Sequence, residues 1–260
     1  MTRILSISVA IVFALVSHPA LATPDETHKY PAGDGSDLSV HAFLPDKSTR
    51  SGKAAIFYFG GGWRVGSPEQ FFPFCQALKT RGIACFAPDY RVSSRQGTDP
   101  IDALNDAQSA YQWLVSKADE FGVDKSQIYV GGGSAGGHLA AAVTLLPNKS
   151  ITQAPAGMLL FNPAVDIGRS SRIQEMFRNQ AQQYSPIEFV RPSLPGAWVV
   201  HGTADKIVPH STVVDFCQRM ESAGNQCQLT SFDDAGHGFF NAGRPAYDQV
   251  LTALLVHLDG

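Results

Sequence analysis

Gly131-Gly132-Gly133-Ser134-Ala135-Gly136-Gly137-His138 is the stretch that decides the fold of this chain. An apolar stretch, Gln127–Val130, leads directly into it, and a stretch of small residues, Leu139–Val143, follows directly. A Gly-x-Ser-x-Gly sequence between a strand and a helix predicts a sharp turn that exposes the serine hydroxyl. Such a turn leaves no space for neighbouring side chains, and Gly132 and Gly136 meet that demand.

A glycine-rich turn can also be a simple bend or a phosphate-binding loop. The phosphate-binding interpretation is weak, because neither Gly-x-Gly-x-x-Gly in a first βα unit nor a Gly-Lys-Ser/Thr ending is present. The N-terminus of the following helix would stabilise a developing negative charge at the turn. We therefore predict that Ser134 is a nucleophile.

Composition and charge narrow the class of protein. The chain has 260 residues, of which 44% are hydrophobic and 17% charged, and its formal net charge is −3. These values predict one globular domain with a full-sized core, over residues 23–260. No block of Lys and Arg occurs, so the sequence argues against nucleic acid or an anionic membrane surface as a partner.

The first 22 residues have the pattern of a signal peptide. Arg3 precedes an apolar run from Ile4 to Val16, and Ala20-Leu21-Ala22 fits an Ala-x-Ala cleavage site. The run is too short to span a bilayer about 30 Å thick as a helix. We expect an exported protein, secreted or periplasmic, that begins near Thr23; an uncleaved membrane anchor is the alternative.

Four cysteines form two pairs with equal spacing, Cys75/Cys85 and Cys217/Cys227. Each pair links a predicted helix, through a glycine turn, to a predicted strand. Export to an oxidising compartment would permit two disulfides. Buried free thiols are the alternative.

Strand-like and helix-like segments alternate after residue 54, which predicts an α/β fold with a mostly parallel sheet covered by helices on both faces. We expect a strand near Leu38–Leu44 to pair at one edge of the sheet. Two helix starts carry a proline in the first turn, after Asp99 and after Ser67, and Ser67–Gln70 has the sequence of a capping box. The predicted strands are Ala54–Phe59, Ile83–Ala87, Gln127–Val130, Gly157–Phe161, Ala197–His201 and Gln226–Phe232, and the predicted helices span 69–81, 101–120, 137–146, 211–223 and 244–258.

The segment 162–195 interrupts this alternation with three prolines and short helical patterns. It follows a strand end, where α/β folds keep their ligand crevice, so we interpret it as a small cap or crevice wall. A surface excursion without a role is the alternative.

A nucleophilic serine needs a base and a carboxylate that orients the base. Asp205 and His237 follow two later predicted strands, and the chain order serine, acid, histidine fits a sheet of this kind. We therefore predict Ser134, His237 and Asp205 as the catalytic residues, with Asp166 as a rival acid. His138 and His201 are interpreted as structural.

A glycine triplet, Gly60–Gly62, follows the first parallel strand. Consecutive glycines let backbone N–H groups approach a substrate oxygen, so we predict an oxyanion hole formed by Gly61, Gly62 and Ala135. Nearby aromatic residues are candidates to line the acyl pocket: Trp63, Phe71, Phe72, Phe239 and Phe240. No metal site or cofactor is predicted, because the His and Cys residues lack ligand spacing.

With these residues assigned, the chain resembles α/β-hydrolases of the esterase/lipase superfamily, close to the bacterial acetyl-esterase and hormone-sensitive-lipase-like groups. One residue departs from their pattern, because Phe59 stands where a histidine usually precedes the glycine triplet. The residues from Thr23 to Gly60 are also too few for a helical cap, so the resemblance implies an open site. The resemblance rests on Gly60–Trp63, Pro88–Arg91, Gly131–His138, His201–Asp205 and Gly236–Phe239.

The sequence thus predicts a serine carboxylesterase that acts on short, acetyl-type esters; a carbohydrate alcohol is an expectation that rests on resemblance and export. The predicted partner is a small ester or an acetylated carbohydrate, contacted by Trp63 and Phe239. Two alternatives stay open. One is an exopeptidase similar to the prolyl-oligopeptidase catalytic domain, and the other is a non-catalytic binding protein on a hydrolase fold.

Overall fold

The computed structural model describes residues 22–168 and 170–259, and these build one eight-stranded sheet. The strand order is β1-β2-β4-β3-β5-β6-β7-β8. The first two strands are antiparallel to their neighbours, and every later pairing is parallel. The strands are β1 (Glu26–Pro31), β2 (Asp37–Phe43), β3 (Ala54–Tyr58), β4 (Ala84–Pro88), β5 (Ile128–Gly133), β6 (Gly157–Phe161), β7 (Gly196–Gly202) and β8 (Cys227–Phe232).

Helices cover both faces of the sheet, as the alternating pattern predicted. One face packs against α1 and α7, and the other against α3, α4 and α6. Every residue of β3, β4 and β6 is buried, because strands covered on both sides have no solvent face. The helices are α1 (Phe72–Thr80), α2 (Ser93–Gln96), α3 (Pro100–Phe121), α4 (Ala135–Leu145), α5 (Ser171–Met176), α6 (His210–Ser222) and α7 (Tyr247–Asp259).

The strand at the N-terminal edge of the sheet is not the one that was predicted. The strand expected near Leu38–Leu44 is β2, which lies second in the sheet, between β1 and β4. The edge itself is Glu26–Pro31, a strand that was not predicted. Its residues are mostly polar and only Tyr30 is buried, so the strand lacks the apolar pattern that would reveal it.

The two predicted helix caps behave differently. Asp99 caps α3 in a full capping box: its side chain accepts from the Asp102 N–H, and the Asp99 N–H donates to the Asp102 side chain. The box predicted at Ser67–Gln70 is wrong, because the Ser67 side chain makes no capping hydrogen bond. The Gln70 side chain instead bonds Gly60 and Asn241.

Both cysteine pairs are disulfides. Cys75 in α1 bonds Cys85 in β4, and Cys217 in α6 bonds Cys227 in β8. Each bridge ties a helix to the strand that follows it, as the equal spacing suggested. The predicted signal peptide falls almost wholly on residues 1–21, outside the described residues. Among the residues that are described, no helix is both long and apolar enough to cross a membrane.

Candidate active site

Ser134 lies on a strained turn between β5 and α4. Its φ of 54° and ψ of −116° lie in a region that serine rarely adopts. The turn packs closely against β3: a Cβ added at Gly136 would lie 2.0 Å from the Tyr58 carbonyl oxygen, and one at Gly132 would lie 2.4 Å from the Gly136 oxygen. The glycines of Gly-x-Ser-x-Gly are therefore required by close backbone contact.

The structure brings the three predicted catalytic side chains together in one chain of hydrogen bonds. The Ser134 Oγ lies 2.9 Å from the His237 Nε2, and the His237 Nδ1 lies 2.7 Å from the Asp205 Oδ2. An ionised carboxylate only accepts hydrogen bonds, so the Nδ1–H donates to Asp205. The Nε2 then carries the lone pair that accepts the serine proton. Asp205, and not the rival Asp166, is the carboxylate that reaches the histidine.

Asp205 is held as an anion by several donors. Burial raises the pKa of this carboxyl, but the bonds from His237 and from the backbone N–H groups of Val208 and Ile207 outweigh that effect, so its pKa lies below the ordinary value. The carboxylate side chain is fully buried. It therefore orients His237 without itself being free to move.

Two further histidines, which were predicted to be structural, bond backbone carbonyl oxygens. The buried His201 donates from Nε2 to the Val208 carbonyl oxygen and so fixes the loop after Asp205. His138, also fully buried, bonds the Tyr184 carbonyl oxygen through Nε2. Burial lowers the pKa of His138 to about 4.

The glycine triplet forms a loop beside Ser134. Gly61 and Gly62 adopt φ values of 127° and 62°, which favour glycine. In the described part of the chain, the backbone N–H groups of Gly61, Gly62 and Ala135 donate to no protein acceptor. These three donors are thus available to a ligand oxygen.

Phe59 replaces the histidine of the related pattern and supports this loop in another way. It is fully buried and stacks on Tyr90, with ring centroids 3.9 Å apart. The Tyr90 hydroxyl donates to the Phe59 carbonyl oxygen. The chain direction into the glycine triplet is therefore fixed by an aromatic stack and not by a side-chain hydrogen bond from residue 59.

Sequence reasoning missed three residues at this site. Asn162, after β6, is buried with φ of 36°; its Nδ2 lies 3.5 Å from the His237 Nε2. Gln70 accepts from the Gly60 N–H and donates to Asn241, which bonds the Gly238 carbonyl oxygen. Only Asn162 carried a sequence signal, because asparagine at a strand end tolerates left-handed backbone.

An open cleft of about 620 Å³ contains Ser134 and the three oxyanion candidates. Trp63 lines it, as expected, and the segment 162–195 contributes α5 to its wall. The expectation for the other aromatic residues differs. Phe71, Phe72 and Phe240 lie in the buried core on the α1 and α7 side of the sheet. Phe239 lines a second cleft that lies beside His237 and contains Asp233 and Arg244. Across the described residues, no three His, Cys, Asp or Glu side chains group as metal ligands.

Comparison with known families agrees with this geometry. A family described as alpha/beta hydrolase fold matches residues 55–191, and the dienelactone hydrolase family matches residues 182–254. Esterase LipC of Mycobacterium tuberculosis is 30% identical over 75% of this chain, and an acetylxylan esterase of Xylanibacter ruminicola is 25% identical over 85%. The chain spans about half the length of these two relatives, 55% and 48% respectively.

A solved structure matches over nearly its whole length. Thermogutta terrifontis esterase 2 is 37% identical, with a TM-score of 0.84, over 90% of this chain and 91% of that protein. That esterase has also been solved phosphoramylated by tabun, and the match to that form has a TM-score of 0.85.

Proposed function

This chain belongs to the α/β-hydrolase family, in its esterase and lipase branch, and we propose that it hydrolyses carboxylic esters through an acyl-enzyme on Ser134. The observation that carries the proposal is the pair of short hydrogen bonds from Ser134 to His237 and from His237 to Asp205. A serine hydroxyl is a weak nucleophile, and this arrangement is what activates it.

In the proposed reaction, the Ser134 Oγ attacks the ester carbonyl carbon while the His237 Nε2 takes the hydroxyl proton. The buried Asp205 anion stabilises the imidazolium that forms and keeps its ring oriented. His237 then returns the proton to the leaving alcohol, and an acyl-enzyme is left on Ser134. Water, activated by the same histidine, hydrolyses that acyl group and regenerates the serine.

The negative charge on the carbonyl oxygen needs donors that are already in position. The unbonded N–H groups of Gly61, Gly62 and Ala135 are suited to that role, and Ala135 opens the first turn of α4, where the helix dipole adds a favourable field. Removing one such donor typically costs about 3 kcal/mol of transition-state stabilisation.

We further propose that the substrates are short-chain esters of the acetyl type and that the protein works outside the cytoplasm. An open cleft suits a small acyl group on a larger alcohol, and one relative is named an acetylxylan esterase, which supports an acetylated carbohydrate as a candidate. Two disulfides favour an oxidising compartment. The signal-peptide pattern of the first 22 residues points the same way.

The test compares the full chain with Ser134→Ala, His237→Ala and Asp205→Asn on p-nitrophenyl acetate. We expect kcat to fall at least a thousandfold for the first two variants, and a fluorophosphonate to label the wild type but not Ser134→Ala. Normal turnover by Ser134→Ala would refute the mechanism. A panel of p-nitrophenyl esters from acetate to laurate, together with acetylated xylan, then tests the substrate class.

A further inference from the structure

Three cationic side chains line the cleft that contains Ser134, and they come from three separate parts of the chain. Arg64 follows the oxyanion glycines, Arg172 lies in the first turn of α5, and Lys206 directly follows Asp205. Among the described residues that line this cleft there is no Asp or Glu. The lining is therefore positively charged although the whole chain has a net charge of −3.

These three cations are not neutralised by the protein. All are exposed, and within residues 22–168 and 170–259 none makes an ion pair or a side-chain hydrogen bond. Neighbouring arginines behave differently, because Arg95 is paired with Asp89 and Arg178 with Asp99. Three uncompensated positive charges around one cleft attract a negatively charged ligand.

Each cation is followed by an aliphatic residue that lines the same cleft, namely Val65, Ile173 and Ile207. Val65 is 55% exposed and Ile207 is 71% exposed, and both are among the few large apolar side chains that the described surface leaves open. The cleft mouth thus offers apolar contact next to positive charge. A ligand that combines an apolar part with an anionic group fits both features.

We propose that this cleft selects esters that carry a carboxylate in addition to the ester group, with Arg64, Arg172 and Lys206 as the specificity-determining residues. The inference rests on the proposed esterase function and adds the substrate's charge to it. In water, one pair of charges about 6 Å apart changes an equilibrium constant about threefold. Two such pairs acting together already give a preference of about tenfold, which salt weakens.

The experiment uses two matched pairs of esters, one for each side of the ester bond. The mono-4-nitrophenyl ester of glutarate and 4-nitrophenyl pentanoate differ by a carboxylate on the acyl side, and 4-acetoxybenzoate and 4-acetoxybenzamide differ on the alcohol side. For each pair we measure kcat/KM of the charged ester divided by kcat/KM of the neutral ester. This ratio is then divided by the same ratio of the two esters' hydroxide-catalysed hydrolysis rates, which removes their difference in intrinsic reactivity. Background hydrolysis is subtracted with Ser134→Ala.

We expect this ratio to reach about ten for at least one pair in 20 mM NaCl and to fall towards one in 500 mM NaCl. The pair that responds identifies the side of the ester that carries the charge. The triple variant Arg64→Gln/Arg172→Gln/Lys206→Gln is expected to lose the preference. Lys47→Gln/Lys117→Gln/Lys125→Gln removes the same total charge from surface residues outside this cleft lining and is expected to keep it.

Four other outcomes would contradict this inference. Hydrolysis of the neutral esters with a ratio near one for both pairs overturns this inference and leaves the proposed function standing. No Ser134-dependent hydrolysis of any of the four esters overturns both. If the triple cleft variant keeps the preference for charged esters, these three residues do not determine that preference. The same conclusion follows if the control triple variant loses the preference equally.

Discussion

The Gln70 Nε2 donates a hydrogen bond of 2.8 Å to the Asn241 Oδ1, across 171 positions of sequence. The other end of the Gln70 amide accepts from the Gly60 N–H at 2.6 Å, and the Asn241 Nδ2 donates to the Gly238 carbonyl oxygen at 2.9 Å. The loop of the glycine triplet Gly60–Gly62 and the loop that carries His237 are therefore joined by two amide side chains. We expect this bridge to help hold the two loops in their relative position, and so to set the distance from Gly61 and Gly62 to His237.

Gln70→Ala should lower kcat on p-nitrophenyl acetate about tenfold, with a smaller change in KM. The substitution leaves the Gly60 N–H without its acceptor and frees both loops, and small misplacements of this kind reduce turnover more than binding. Steady-state kinetics at neutral pH measures the effect.

The matched control is Gln76→Ala, in α1, whose side chain is half-buried and makes no hydrogen bond in the described residues. We expect it to keep wild-type kcat. Equal kinetics for the two variants would show that the bridge does not position the site.

Gly136→Ala should lower the free energy of unfolding by about 3 kcal/mol or prevent folding, because its Cβ would lie 2.0 Å from the Tyr58 oxygen and 2.4 Å from the Phe59 oxygen. Gly236→Ala meets no atom within 4 Å and should change stability by less than about 1 kcal/mol. Urea unfolding followed by tryptophan fluorescence compares the two. Similar stabilities would contradict the requirement for close contact at the turn.

Removal of the second disulfide, by Cys217→Ser/Cys227→Ser, should lower the free energy of unfolding by about 2 to 3 kcal/mol, since each bridge closes a loop between cysteines ten positions apart. The measurement is urea unfolding without reductant. With reductant present, wild type and variant should unfold at similar urea concentrations. Detection of four reactive thiols in the denatured, unreduced protein would contradict both bridges.

His138 makes stability depend on pH. Burial lowers its pKa in the folded protein to about 4, below the unfolded value of 6.5, so the unfolded chain binds the proton first. The contribution of the neutral ring is complete above about pH 6.5 and is lost as pH falls towards 4. Between pH 7 and pH 4.5 this loss is about 2 to 3 kcal/mol.

His138→Gln should remove that part of the pH dependence in urea unfolding at the two pH values. Some dependence will persist, because burial also lowers the pKa of His201 and His257. An unchanged slope in His138→Gln would show that this buried ring does not titrate as stated.

The sequence predicted most of the fold because its signals are local. Seven of the eight strands and the start of α3 follow from apolar patterns and a capping pattern within a few positions. The capping pattern at Ser67–Gln70 gave a wrong prediction because a long-range contact replaces the cap: the Gln70 amide bonds Gly60 and Asn241. The polar edge strand β1 failed for a different reason, because its pairing partner and not its composition makes it a strand.

The site residues could be predicted from the sequence, because few residue types satisfy the steric or chemical requirements of their positions. This holds for Gly-x-Ser-x-Gly, for the glycine triplet and for the Asp and His that follow the later strands. Only the tertiary structure decided how they are held. The Phe59–Tyr90 stack and the bridge from Gln70 to Asn241 join residues far apart in sequence. The cleft likewise brings together Arg64, Arg172 and Lys206 from three separate parts of the chain. Such contacts exist only after the sheet has formed, because the order of its strands, and not the spacing of residues, sets which loops meet.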